Sequence, residues 1–352
     1  MSHSDYFSDW DLVVRFLPQG WREGARDLGA LTRQRKFAKA EDLLRLLLIH
    51  LGEGYSMRET VTKGGSRGLV SVSDVALLKR LKLSSRWLNW MARKVMAKAN
   101  CHPSPPPSLV KFTLKSIATF TIREPGNTGS TWQLHHCLKI IDLESEQFII
   151  SRPEEINKNA LFLTVPNDLL IGDYDLFSTQ TLFSYMQSGA HCIFQYSKPL
   201  VDLIGKTKTD YLTKKIGEIP YGDYIDENFT LLNKASKSEL MVRICIIRNP
   251  DKLPSLEQNN LWGYNKSAPI NDTFAVITTL PESIPAIDVL EAYRIRWTTG
   301  QALRQLNSLL GLSHLPKGDE KSFHAWFHGK LLVALLAESF ERQRKFYSPW
   351  GY

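Results

Sequence analysis

The chemistry this chain of 352 residues could perform starts with one acid. Asp173 closes the apolar run Leu169-Leu170-Ile171-Gly172, which reads as a buried strand. A carboxylate at that place loses hydration and needs a compensating partner. Two readings follow from the residues: a metal ligand, or a strand-end aspartate that hydrogen bonds into the next helix. His135 and His136 are metal-ligand types, yet no acid or cysteine stands beside them at ligand spacing, so they read as packed strand histidines. Cys101, Cys137, Cys192 and Cys245 are scattered without paired spacing. That argues against a zinc site or a disulfide framework and fits a reducing cytosol. Asp319 and Glu320, in PKGDEK, read as solvated loop charges.

Basic residues are the second chemical signal. The net charge is +8 and the pI about 9.2. Such a surface attracts a polyanion through counterion release. Lys79, Arg80, Lys82, Arg86, Arg93 and Lys94 fall on expected helices, where they form either a face for DNA or an ordinary solvated face. No apolar run approaches the roughly 20 residues that span a bilayer, and the first residues do not predict a secretory leader. The expectation is a cytoplasmic protein without a membrane partner.

The elements that must position these groups change character along the chain. Residues 38 to 51 carry leucines at helical spacing, ended by Gly52 and Gly54. Ser56 with Glu59 predicts a capping box, a glycine-rich turn follows at 64 to 68, and Ser73-Asp74 predicts a further helical start. The proline-rich stretch 102 to 108 is a linker. From Leu109 the period becomes two: LVKFTLKSIATFTI, WQLHHCLKIID and EQFIISR predict an antiparallel meander. DLLIGD and HCIFQYS predict two more strands with the helix TQTLFSYMQSG between them. SELMVRICIIR and DTFAVITTL are strands, a long helical stretch starts after Pro285, and FHAWFHGKLLVALLAESFERQR is a last, apolar helix.

Three stretches in order carry a resemblance. They are EPGNTGSTWQLH at 124 to 135, LLIGDYDLFS at 169 to 178, and YRIRW followed by LLGLSHLPKGDEKSFHAWFHGKLLVALL. Together they resemble the insertion-sequence transposases of family four, within the ribonuclease H-like DDE superfamily. Order and spacing agree over roughly residues 40 to 350.

The resemblance implies an α/β fold: a ribonuclease H-like core with an all-α N-terminal domain and a β-rich insertion. The expected division is a helical DNA-binding domain at 1–101, a linker at 102–108, the first part of the core at 109–198, the insertion at 199–282 and the second part of the core at 283–352. It implies metal-dependent cleavage of DNA and strand transfer by three carboxylates holding Mg²⁺. Asp173 stands for the second of them. The first should fall at Ala118, and no Asp or Glu occurs from Leu109 to Arg123. The third should fall at Gly300, and the family's lysine at Asn307. Tyr293 and Arg296 match the residues placed near the terminal phosphate of the transposon end; Trp297 lies beside them. The site residues expected are therefore Asp173 as catalytic and metal-binding, with Tyr293, Arg296, Trp297, Lys79, Arg80 and Lys82 toward DNA. The implied partners are double-stranded DNA, as transposon ends and target, and a second copy of the chain. After SPWGY, the further helical segment that family members commonly use in pairing and end-binding is expected to be short or absent. The implied compartment is the bacterial cytoplasm at the nucleoid. With two carboxylates missing, the expectation is a weak or silent enzyme. The alternatives are a non-catalytic DNA-binding protein that blocks an active transposase, or a decayed copy.

Overall fold

The computed structural model describes residues 9–31, 37–98, 104–123, 131–152, 161–173, 176, 178–195, 204, 206–232, 239–248, 273–296 and 319–346. The N-terminal part is helical: α1 (Asp9–Phe16), α2 (Trp21–Asp27), α3 (Ala40–Glu53), α4 (Met57–Ser66), α5 (Asp74–Leu83) and α6 (Ser85–Lys98). The leucine stripe of α3 is what folds it, with Leu43, Leu44, Leu46 and Leu47 all sealed from solvent. Gly54, at φ 73, ends α3, whereas Gly52 stays within the helix. The expected capping box forms at Ser56 and Glu59. The turn expected at 64–68 starts later, because α4 runs through Ser66. A Cβ on Gly64 would lie 2.2 Å from Leu46, so this glycine serves the close approach of α4 to α3.

One eight-stranded sheet follows, in the order β3-β2-β1-β4-β5-β8-β7-β6. Strands β1 (Thr113–Arg123), β2 (Thr131–Lys139) and β3 (Glu144–Ser151) form the expected antiparallel meander. Parallel to β1 run β4 (Asp168–Gly172) and β5 (His191–Gln195), joined through α7 (Thr179–Gln187). β4 is buried along its whole length, as a continuous apolar run in a parallel interior must be. Beyond it, α8 (Lys206–Glu218), β6 (Tyr224–Leu232), β7 (Glu239–Arg248) and β8 (Thr273–Thr278) follow, and their strands continue the same sheet antiparallel from β5. Sequence patterning did not predict α8 or β6, whose residues are too polar to stand out.

Helix α9, residues 286–296, covers one face of the centre of the sheet, with Val289, Ala292 and Tyr293 packed on Leu114, Leu169, Ile171 and Ile193. Helix α10 (Glu320–Phe346) joins the two halves. Phe323 stacks on Phe148 of β3 with centroids 3.6 Å apart, and Phe327 stacks on His136 of β2 at 3.9 Å. Trp326, Leu331 and Leu332 share one cluster with α3 and α6. The N-terminal helices and the sheet thus have a common core through α10. Among the described residues, no helix is long and apolar enough to cross a membrane.

Candidate active site

Gly172 sets the approach to the site. A Cβ there would come within 2.8 Å of both Ile117 and Phe194, so only glycine lets β1, β4 and β5 close up. Ser116 pairs with Ile171, and Gly172 with Phe194. Carried one or two residues further, these registers set Ala118, Asp173 and Gln195 side by side on three adjacent parallel strands. Alternation puts them on the face that carries Leu114, Leu169, Ile171 and Ile193. Ala118 is therefore the residue next to Asp173 on the neighbouring strand.

From above, α9 lowers Tyr293 and Arg296, three residues apart on one helical face. Arg296 grips Asp173 with both arms: Nη1 donates to Oδ1 at 2.8 Å and Nη2 to Oδ2 at 2.6 Å. Nη2 also reaches the Ile117 carbonyl at 3.4 Å. The Tyr293 hydroxyl lies 2.8 Å from Asp173 Oδ1 and 2.8 Å from Gln195 Oε1. A phenol has one proton. It donates that proton to the carboxylate, and a Gln195 amide turned end for end would donate back to it.

The electrostatics follow from unequal burial. Arg296 is 8% exposed and Tyr293 2%, whereas the Asp173 side chain is 52% exposed. Burial pushes the Asp173 carboxyl up, but the Arg296 charge and the bonds from Arg296 and Tyr293 outweigh it and hold it below the usual range. Burial, reinforced by the carboxylate, raises the Tyr293 phenol, so it stays protonated. Burial opposes the Arg296 charge, and Asp173 restores it. The pair is neutral as a unit and ionised in both members.

Of the two roles open to Asp173, the capping role goes elsewhere. Ser178 caps α7, accepting from the Thr181 N–H at 3.0 Å. The metal role asks for several oxygen ligands. Among the described residues no group of three His, Cys, Asp or Glu is placed to hold a metal. Among the described residues the donor set here is one carboxylate with a guanidinium across both oxygens, which does not fit a pair of divalent ions.

The other expected residues are dispersed. Trp297, Gly300 and Asn307 lie outside the described residues. Lys79, Arg80 and Lys82 sit on α5, away from the strand ends that hold Asp173. Lys79 is exposed. Arg80 donates to the Ala30 carbonyl at 3.2 Å, and Lys82 pairs with Asp319 at 2.9 Å. Asp319 is not simply a solvated loop charge: it also accepts from the Ser322 N–H at 3.0 Å at the start of α10. Glu320 is exposed, 3.6 Å from His324. His135 Nδ1 meets Thr119 at 2.8 Å, and His136 Nε2 meets Ser145 at 2.8 Å, so both are packed as expected. Asp142, in the β2–β3 turn, pairs with Arg93 at 3.0 Å, away from Asp173. Sequence reading missed Gln195. The signal was there, since HCIFQ ends a buried strand with a polar residue just as LLIGD does.

No protein-family model matches the chain. It is 23% identical over 351 residues to the "Putative transposase InsL for insertion sequence element IS186A" of Escherichia coli strain K12, covering 94% of this chain and 93% of that protein. It is also 23% identical over 352 residues to the "Transposase for insertion sequence element IS421" of Escherichia coli, with the same shares covered. Over nearly its whole length, then, the chain is similar to insertion-sequence transposases.

Proposed function

We propose that the chain binds the double-stranded DNA ends of an insertion sequence and that its phosphodiester chemistry is impaired. Similarity along nearly the full length to two insertion-sequence transposases supports the first half. The order β3-β2-β1-β4-β5, with β1, β4 and β5 parallel, is compatible with the ribonuclease H-like core that the motifs implied. The second half is carried by one observation: the retained acid, Asp173, has both oxygens on Arg296, beside an alanine where a second acid would stand. Phosphoryl transfer needs concentrated positive charge where negative charge builds at phosphorus. Mg²⁺ held by three acids is the family's source of that charge. In this chain, Arg296 spends its charge on neutralising Asp173. Action at the bacterial nucleoid, as a homodimer, belongs to the same reading.

The test is cleavage of a labelled duplex carrying the DNA ends that flank the chain's own coding sequence, with Mg²⁺ or Mn²⁺. The wild type is expected to nick at or near background. The double variant Ala118→Asp with Gly300→Glu is expected to gain measurable cutting. Robust cutting by the wild type that is lost in a folded Asp173→Ala variant would overturn the impaired reading. The neutral Asp173–Arg296 pair also favours a second reading, a non-catalytic protein that occupies the ends and blocks an active transposase. It predicts salt-sensitive, end-selective binding without nicking. Equal affinity for end and random sequence would exclude it.

A further inference from the structure

The basic helices α5 and α6 do not present a uniform positive face. A cavity of about 630 Å³ opens between them, the β2–β3 turn and the start of α10. Its walls are tied together by His328. The Ser145 N–H donates to His328 Nε2 at 3.2 Å, which leaves the ring proton on Nδ1, 3.0 Å from Ser85 Oγ. One neutral imidazole on α10 therefore holds β3 and α6 at once. The Asn89 amide adds a bond from α6 to the Leu143 carbonyl at 2.7 Å. The cleft is a built concavity with fixed walls, which lowers the ordering cost of binding.

Its charges do not cancel. Four cations line it: Lys82, Arg86, Arg93 and Lys321. The acids at its rim already have partners: Asp319 on Lys82 at 2.9 Å, Asp142 on Arg93 at 3.0 Å and Glu144 on Lys139 at 3.1 Å. Arg86 on α6 and Lys321 on α10 carry no ion pair among the described residues, and they stand on different walls. Trp90 also lines the cleft, but its ring packs within 3.3 Å of the Cβ position of Gly24, which suits a wall better than a platform for a base. The Ile140 N–H bonds to the Leu114 carbonyl at 2.9 Å, which fixes the β2–β3 turn at the start of β1. Asp173 lies past the end of the parallel neighbour β4. The cleft and the Asp173 cluster are thus separate sites, the first at the start of the parallel strands and the second past the end of β4.

We infer that this cleft is a second contact for the phosphodiester backbone of duplex DNA, with Arg86 and Lys321 reaching neighbouring phosphates, one from each wall. The inference rests on the DNA-binding reading above and extends it to a place away from Asp173, Tyr293 and Arg296. Backbone recognition carries no sequence information, so the contribution should be the same for any duplex. Each cation withdrawn from the phosphates lowers the slope of log affinity against log salt by about 0.9, so withdrawing two should make it shallower by roughly 2.

The test compares the wild type, Arg86→Gln with Lys321→Gln, and a control with the same charge change, Lys111→Ala with Lys214→Ala. Binding of a labelled random-sequence duplex, and of a single strand of equal length, is measured over a salt series. Circular dichroism checks the fold. The expected result is a shallower slope and roughly tenfold or weaker duplex affinity at low salt for the cleft variant alone. Equal slopes for the cleft variant and the control would overturn the cleft while leaving DNA binding intact. Weakening confined to the single strand would also overturn it, since the cleft would then serve another ligand. No salt-sensitive binding by the wild type would overturn the DNA reading and the cleft with it. Should the double variant misfold, Lys321→Gln alone is read against Lys214→Ala, and a slope reduced by about 1 is expected.

Discussion

Two aspartates bracket β4, and they live in opposite surroundings. Asp168, at its start, is 1% exposed. It accepts from Lys115 Nζ at 2.8 Å and from the Val165 N–H at 2.9 Å, and Lys115 also holds Glu146 at 2.7 Å. Here acid and base are both sunk and lie against each other. Burial works against the charge on Lys115, and the two carboxylates outweigh it and raise its pKa. At the far end, Arg296 is the buried member while Asp173 keeps about half its side-chain surface open. The first cluster is a closed structural clasp. The second is a clasp with one side facing solvent, where an incoming anion could compete with Asp173 for the guanidinium. The lesson is that a strand-end carboxylate alone does not mark a metal site; what matters is which partner is buried and from which side water reaches the pair.

Breaking the closed clasp should have the largest effect. Lys115→Met strands Asp168 and Glu146 without their cation, which should cost about 3–5 kcal/mol, since an uncompensated buried charge is the expensive case. Urea denaturation measures this, and a destabilisation below about 1 kcal/mol would show that water already reaches the cluster.

Acid titration sharpens the comparison by adding a third buried group. Burial lowers the His328 imidazole to about 3, and burial together with His328 and His324 holds His136 well below its usual value. For these histidines the folded pKa lies below the unfolded one. Their stabilisation is complete above the unfolded value near 6.5 and is lost as the pH falls. For His328 alone the loss is roughly 3 kcal/mol by pH 4. Asp173, with its own pKa depressed, keeps its contribution above the unfolded value near 3.8 and loses it only as the pH falls through its folded value. Between pH 6.5 and 4, then, the stability slope belongs to the histidines. His328→Gln should flatten it, with His136 supplying the remainder; an unchanged slope would show that His328 is not the titrating group.

The open clasp should respond least, and unequally. Asp173→Asn leaves the buried guanidinium facing a neutral amide and should cost about 2 kcal/mol, whereas Arg296→Met leaves a carboxylate that water can hydrate and should cost about 1 kcal/mol. Thermal unfolding of the two variants checks the order. The reverse order would place the larger buried penalty on Asp173 and close the distinction between the two ends of β4.

Much of the local structure was legible because its causes are local. The Ser56–Glu59 box, the Ser73 cap, the meander and the buried run before Asp173 each follow from a few adjacent residues. Gly52 misled as a helix end, because only the backbone conformation distinguishes a glycine at a positive φ, such as Gly54, from one that stays in the helix. Gly64 was read as part of a turn because the nearness of Leu46, from another helix, leaves no trace beside it. At the site, the family resemblance implied an acid at position 118, where the sequence has alanine, and singled out Tyr293 and Arg296. It could not reveal that Arg296 turns onto Asp173, since the two are 123 residues apart and meet only when α9 lies on the sheet.

What the amino-acid order settled by itself is most of the inventory: the helices and strands with a clear period, an acid at 173 after a buried run, and an alanine at 118. What only the tertiary structure decided is the pairing of charges: Asp173 with Arg296, Asp168 with Lys115, and the acids around the α5–α6 cleft with cations other than Arg86 and Lys321. The reason is physical. Residue type and periodicity act between neighbours along the chain, whereas the energy of a charge depends on its distance to other charges and to water, and packing sets both.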